Sequence, residues 1–133
     1  MTQSQALSKV WSRARSEAVG GRPQTLKPSD LAAWAQRFSP LELDHLVIPK
    51  RTLARRKARG ESLTGEETDK ALRLARISAE ADRVFGNPEK SARWLRHANP
   101  ALSGQTPLDV LRTETGALAV EELLSQIDHG MFT

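Results

Sequence analysis

Apolar positions along this chain recur every three or four residues and almost never alternate, a pattern that predicts helices throughout and no sheet. Leu7, Val10, Trp11, Ala14 and Ala18 form the first stripe, and Gly20-Gly21-Arg22-Pro23 breaks it. Residues 1–28 therefore read as an N-terminal helix or arm with a linker. Ser29-Asp30 can cap the next segment, where Leu31, Trp34, Ala35 and Phe38 fall at i, i+3, i+4 and i+7.

Three capping boxes follow, in which a Ser or Thr accepts from the N3 amide while an acid three residues on reaches back. They are Ser39-Pro40-Leu41-Glu42, Thr64-Gly65-Glu66-Glu67 and Thr106-Pro107-Leu108-Asp109. Two of them place Pro at the first helical position, where its missing N–H costs nothing. Gly86-Asn87-Pro88-Glu89 reads as a stop, a cap and a restart. Helices are expected near 30–38, 40–46, 50–59, 65–85, 88–97, 107–113 and 116–128, giving an all-α protein. Leu74, Ile77, Ala81 and Val84, widened by Ala71 and Phe85, are the core stripe of the longest helix. Val120, Leu123, Leu124 and Ile127 are that of the last. No internal repeat or low-complexity tract interrupts them.

A chain of 133 residues suits one compact domain or two small ones. It has no cysteine, which excludes disulfides and thiolate metal sites and points to a reducing, cytoplasmic setting. No apolar run reaches membrane-span length, and the polar start MTQSQALSKV lacks the apolar core of a signal peptide. His45, His97 and His129 are scattered, with no i, i+4 pair to hold a metal. No nucleophile-and-base pair or carboxylate dyad can be argued from spacing, and Gly20-Gly21 lacks the strand and helix of a phosphate loop. The expectation is a binding protein without catalytic residues or cofactor, not an enzyme.

Charge divides the chain. Residues 1–60 hold 12 Lys and Arg against 4 Asp and Glu, and residues 61–133 hold 8 against 12. The basic excess concentrates in KRTLARRKAR, residues 50–59, where only Leu53, Ala54 and Ala58 are left to face a core. Such a helix suits a polyanion better than its own interior. The helices at 40–46 and 50–59 are joined by Val47-Ile48-Pro49, the layout of a helix-turn-helix whose second helix enters the DNA major groove. On that reading Lys50, Arg51 and Thr52 read base edges, and Arg55, Arg56, Lys57 and Arg59 hold phosphates. The bland alternative is a solvated charged helix.

The opposite end is acidic, with Glu114, Glu121, Glu122 and Asp128 but no Lys or Arg after Arg112. Beyond the helix stop at Gly130 come Met131 and Phe132, which either hook back onto their own helix or plug a partner's cleft. Apolar surface on the stripes of 31–38 and 65–85 exceeds what a short chain easily buries, so a homodimer is expected.

From about Val47 to Phe132 the sequence resembles the Xre/MbcA/ParS-like antitoxins of type II toxin–antitoxin pairs. The stretches that carry the resemblance are IPKRTLARRKARG (48–60), LTGEETDKALRLARI (63–77), VFGNPEKSARWLR (84–96), NPALSGQTPLDVL (99–111) and TGALAVEELLSQIDHGMF (116–132). The resemblance implies an Xre-like helix-turn-helix region at 29–62, following the arm at 1–28, and a toxin-binding domain at 63–133. It implies a RES-domain toxin that consumes NAD⁺, with the antitoxin's C-terminal region covering the active site and the complex binding its own promoter. Glu121, Glu122, Leu124, Asp128, His129, Gly130, Met131 and Phe132 are the toxin-binding candidates on this reading. Two other classes stay open: a stand-alone helix-turn-helix regulator whose C-terminal helices only dimerise, and an RNA-binding basic protein.

Overall fold

The computed structural model describes residues 3–22 and 25–130, and every regular element among them is helical, as the periodicity predicts. Helix α1 spans Gln3–Val19, a 3₁₀ turn spans Pro28–Leu31, and α2 is Ala32–Ala35. Then come α3 (Pro40–Leu46), α4 (Lys50–Arg59) and α5 (Gly65–Phe85). Helix α6 (Pro88–Leu95) leads through a second 3₁₀ turn, Pro100–Leu102, to α7 (Pro107–Val110) and α8 (Glu114–Asp128).

The capped helices lie where their caps put them. Ser39 Oγ accepts from the Glu42 amide at 3.2 Å, and the Glu42 carboxylate accepts from the Ser39 amide at 2.9 Å. Thr64 and Glu67 make the same exchange at 3.1 and 2.8 Å. Asn87 caps α6 by accepting from the Glu89 and Lys90 amides. Boundaries shift where the ends are tighter. The helix expected over 30–38 is a 3₁₀ turn followed by four α-helical residues, because Pro28 opens the segment and the Ser39 cap restarts the chain. Its stripe survives with one change: Leu31, Trp34 and Phe38 are buried, while Ala35 is exposed. Helices α6 and α7 end at Leu95 and Val110, short of the expected 97 and 113. Helix α8 starts at Glu114 rather than near 116, because Thr113 Oγ1 accepts from the Gly116 amide and caps it.

The chain divides into two compact units, Met1–Ala75 and Arg76–Thr133, with the division inside α5. In the first unit Trp34 is fully buried and its indole donates to the Ala71 carbonyl at 2.9 Å. That bond resolves the one polar group the ring brings inside. Leu7, Phe38, Leu46, Ile48, Leu63 and Leu74 are buried in the same unit. The segment before the 3₁₀ turn is held at two points: the Leu63 amide donates to the Leu26 carbonyl at 2.8 Å, and the Leu26 amide to Thr68 Oγ1 at 3.1 Å.

The second unit buries Ile77, Ala81, Leu95, Leu108, Leu111, Ala117, Val120 and Leu124. Phe85 and Trp94 stack at a tilt, with ring centroids 5.5 Å apart. The turn from α7 into α8 is so close that a Cβ on Gly116 would collide with the Val110 carbonyl. Only glycine lets those backbones meet.

Candidate functional sites

Helix α4 is the basic candidate. The turn before it is fixed by Val47 and Ile48, both buried, whose amides both donate to the Leu43 carbonyl. Pro49 precedes the first helical residue and offers no side-chain cap. Asp44, in the last turn of α3, supplies it instead: its carboxylate accepts from the Lys50 amide at 2.6 Å. A carboxylate is favoured at a helix N-terminus, where the orphan N–H groups and the dipole are positive.

Five of the six cations of α4 stand in solvent: Lys50, Arg51, Arg55, Lys57 and Arg59. Thr52 is half-buried beside them. Arg56 corrects the expectation, because it faces inward. Its Nε and Nη2 donate to the two carboxylate oxygens of Glu67 at 2.9 and 3.0 Å, and Nη1 lies 3.8 Å from Glu61. Only 13% of the Arg56 side chain and 15% of the Glu67 side chain are exposed. The hydrogen bond to Glu67 holds the Arg56 guanidinium above its ordinary pKa, against the opposing pull of burial. Burial pushes the Glu67 carboxyl up, yet hydrogen bonds from Arg56 and Thr64 outweigh it and hold the group below the usual carboxylate range. The fork-to-fork geometry makes Arg56 a strut between α4 and the start of α5 rather than a phosphate ligand. Ala54 and Ala58, assigned inward from sequence, are exposed; Thr52, Leu53 and Arg56 make the inner face.

The acidic candidates on α8 sort by face. Leu124 is fully buried, so it serves the core and offers no contact to a partner. Glu121 accepts from Arg76 at 3.1 Å, and the same guanidinium reaches Glu114 at 2.7 Å. Asp128 accepts from Arg83 at 3.0 Å, and Arg83 also pairs with Glu80 at 2.7 Å. Those hydrogen bonds hold the Arg83 guanidinium above its usual pKa. Arginines on α5 therefore offset much of the negative charge that the sequence places on α8. Glu122 and His129 are exposed. His129 Nδ1 donates to the Ser125 carbonyl at 2.7 Å, which leaves Nε2 for another partner. Gly130 follows the helix with φ +71°, the left-handed conformation expected there. Met131 and Phe132 lie outside the described residues, as does Pro23.

Sequence reasoning missed Arg76 and Arg83 as the partners of these acids, and missed Leu118. Leu118 is 58% exposed on α8. The signal was available, because Thr115, Leu118, Glu122, Ser125 and His129 are spaced three, four, three and four apart. The dimer expectation loses its stated ground, since Leu31, Trp34, Phe38, Ala71, Leu74 and Ile77 are all buried within the chain. Among the described residues no helix is long and apolar enough to cross a membrane, and no group of three or more His, Cys, Asp or Glu is placed to hold a metal ion.

Among the described residues the chain is all-α, with a strongly basic exposed helix and a compact C-terminal helical unit. Comparison with known proteins adds what that unit is similar to. Residues 80–130 match the family model of the antitoxin Xre/MbcA/ParS C-terminal toxin-binding domain. The chain is 44% identical over 93 residues to "Antitoxin Xre" of Pseudomonas putida, covering 70% of this chain and 58% of that protein. It is 34% identical over 87 residues to "Antitoxin Xre" of Yersinia enterocolitica, covering 65% of this chain and 59% of that one. "Prs ADP-ribosylating antitoxin" of a Sphingobium species is 33% identical over 98 residues, 67% of this chain and 62% of that protein. The chain thus spans less than two thirds of the length of the curated relatives it matches. The likeness is therefore to the Xre/MbcA/ParS antitoxins, through the C-terminal domain matched at residues 80–130 and through these curated relatives.

Proposed function

We propose that this chain is the antitoxin of a type II toxin–antitoxin pair, whose C-terminal unit binds a RES-type, NAD⁺-consuming toxin and covers its active site. The observation that carries the reading is the agreement between two independent boundaries. The toxin-binding family match covers residues 80–130, and the second compact unit covers Arg76–Thr133. The toxin chemistry finds support in the relative named for ADP-ribosylation, since ADP-ribosyl transfer draws its group from NAD⁺. A cleft that admits a dinucleotide must accept two phosphates, so its mouth is cationic and suits a segment with no Lys or Arg after Arg112. Neutralisation needs no chemistry from the antitoxin, because excluding the substrate is enough.

The second half of the proposal is that α4 binds operator DNA, so that the pair regulates its own promoter. Five exposed cations on a ten-residue helix, set after a three-residue turn, support it. Thr52, half-buried beside Arg51, would meet a base edge only at close approach. A homodimer would set two such helices on successive turns of the duplex. Co-expression tests the main reading. On this reading the toxin's gene lies beside that of this chain; its induction should deplete NAD⁺ and arrest growth, and this chain should restore both. A chain that leaves growth arrested while it is stably present would overturn the proposal.

A further inference from the structure

We infer that the outward stripe of α8, formed by Thr115, Leu118, Glu122, Ser125 and His129, is the face that docks the toxin, with Leu118 as the anchor that becomes buried. The inference rests on the antitoxin reading and deepens it by naming the surface. All five residues are exposed, and they follow one another at alternating three- and four-residue spacing, which keeps them on one side of the helix. The opposite side is spent on the fold, since Ala117, Val120 and Leu124 are fully buried.

Two features separate this stripe from ordinary solvated helix. Leu118, at 58% exposed, is the one large apolar side chain among the described residues of this unit that the fold leaves in water. A protruding apolar residue ringed by polar ones is what a partner's socket takes up as a hot spot. The charge is also selective. Glu114, Glu121 and Asp128 are engaged by Arg76 and Arg83 within the unit, so a partner would have to compete for them. Glu122, exposed at the centre of the stripe, is the acid placed to meet a partner's cation. The occupant is therefore a protein surface with an apolar socket beside a basic group.

A second copy of this chain fits the stripe poorly. A two-fold contact pairs each position with its mirror position, so a dimer centred on the stripe would set Glu122 against Glu122. A toxin whose active site accepts phosphates provides the opposite sign. Leu124, a toxin-binding candidate from the sequence, is sealed in the core and takes no part in this face.

The test uses the full chain and the cognate toxin of the proposed pair, with affinity measured by titration calorimetry and melting temperature measured on the same samples. Leu118→Ala should weaken binding by about 30-fold, a hot-spot loss, while the melting temperature of the free protein stays at the wild-type value. Glu122→Lys should weaken binding as well, and more at low salt than at high salt. Leu41→Ala, which removes another exposed apolar side chain from the first unit, should bind as wild type. Wild-type affinity in both Leu118→Ala and Glu122→Lys would overturn the stripe and leave the antitoxin reading standing. A wild-type chain that does not bind the toxin overturns that reading first and the stripe with it. Loss of self-association in Leu118→Ala, with toxin affinity unchanged, would give the face to a second copy and also overturn the inference.

Discussion

Alanine at Gly116 should destabilise the second unit, although alanine is the better helix former. Inside an ordinary helix the exchange of Gly for Ala stabilises by about 1 kcal/mol. Here the new Cβ would run into the Val110 carbonyl, which is backbone and cannot swing aside as a side chain would. The turn between α7 and α8 must open, and overpacking of this kind costs about 1–3 kcal/mol. Opening it also strains the 3.0 Å cap from the Gly116 amide to Thr113 Oγ1, a contact whose loss costs about 1 kcal/mol. Against the propensity gain, the net destabilisation is about 1–3 kcal/mol, a fall in melting temperature of roughly 4–12 °C. Gly65 is the matched control: it sits in the first turn of α5, its Cβ would meet nothing within 4 Å, and its φ is not positive. Gly65→Ala should raise stability by about 0.4–1 kcal/mol. Far-UV circular dichroism during thermal and urea unfolding reads both. A Gly116→Ala protein that melts at or above the wild type would refute the packing described for this turn.

Three further outcomes are expected. Glu67 has a lower carboxyl pKa in the folded chain than in the unfolded one, so its contribution to stability is full above the unfolded value of about 4.3 and is lost as pH falls through the folded value. Melting temperature should drop below about pH 5 in the wild type and drop less steeply in Glu67→Gln, and parallel profiles would show that the clamp with Arg56 carries no linkage. Operator binding should fall with salt at a slope of roughly −4 per α4 module, and Arg55→Ala with Lys57→Ala should make it shallower by about 2; an unchanged slope would remove α4 from the interface. Leu124→Ala, which empties a fully buried site, should cost about 2–5 kcal/mol of stability, and a surface-like loss under 1 kcal/mol would contradict its place in the core.

Helix positions were legible because caps and prolines mark them locally. Ser39-Pro40 and Thr64 set the starts of α3 and α5, and those helices match their expected spans. Side-chain partners were not legible, because they are chosen by tertiary neighbours. Arg56 looks like its exposed neighbours in sequence, and only the position of Glu67, eleven residues on, turns it inward. Glu121 and Asp128 likewise meet arginines 45 residues away, which composition cannot reveal. The face of α8 was readable in part. Its apolar stripe marked Val120 and Leu124 as core, while Leu123 and Ile127 are only half-buried. The outward stripe with Leu118 shares that periodicity but was missed, because a single leucine among polar residues stands out only once the inward face is fixed.

The proposed division of labour between the two units is tested most directly by amide hydrogen exchange on the purified protein, alone and bound to the toxin of the proposed pair. Toxin binding should slow exchange within residues 80–130, most strongly along α8, and leave α4 as it is in the free chain. Protection that falls on α4 while α8 exchanges unchanged would contradict the assignment of the C-terminal unit to the toxin.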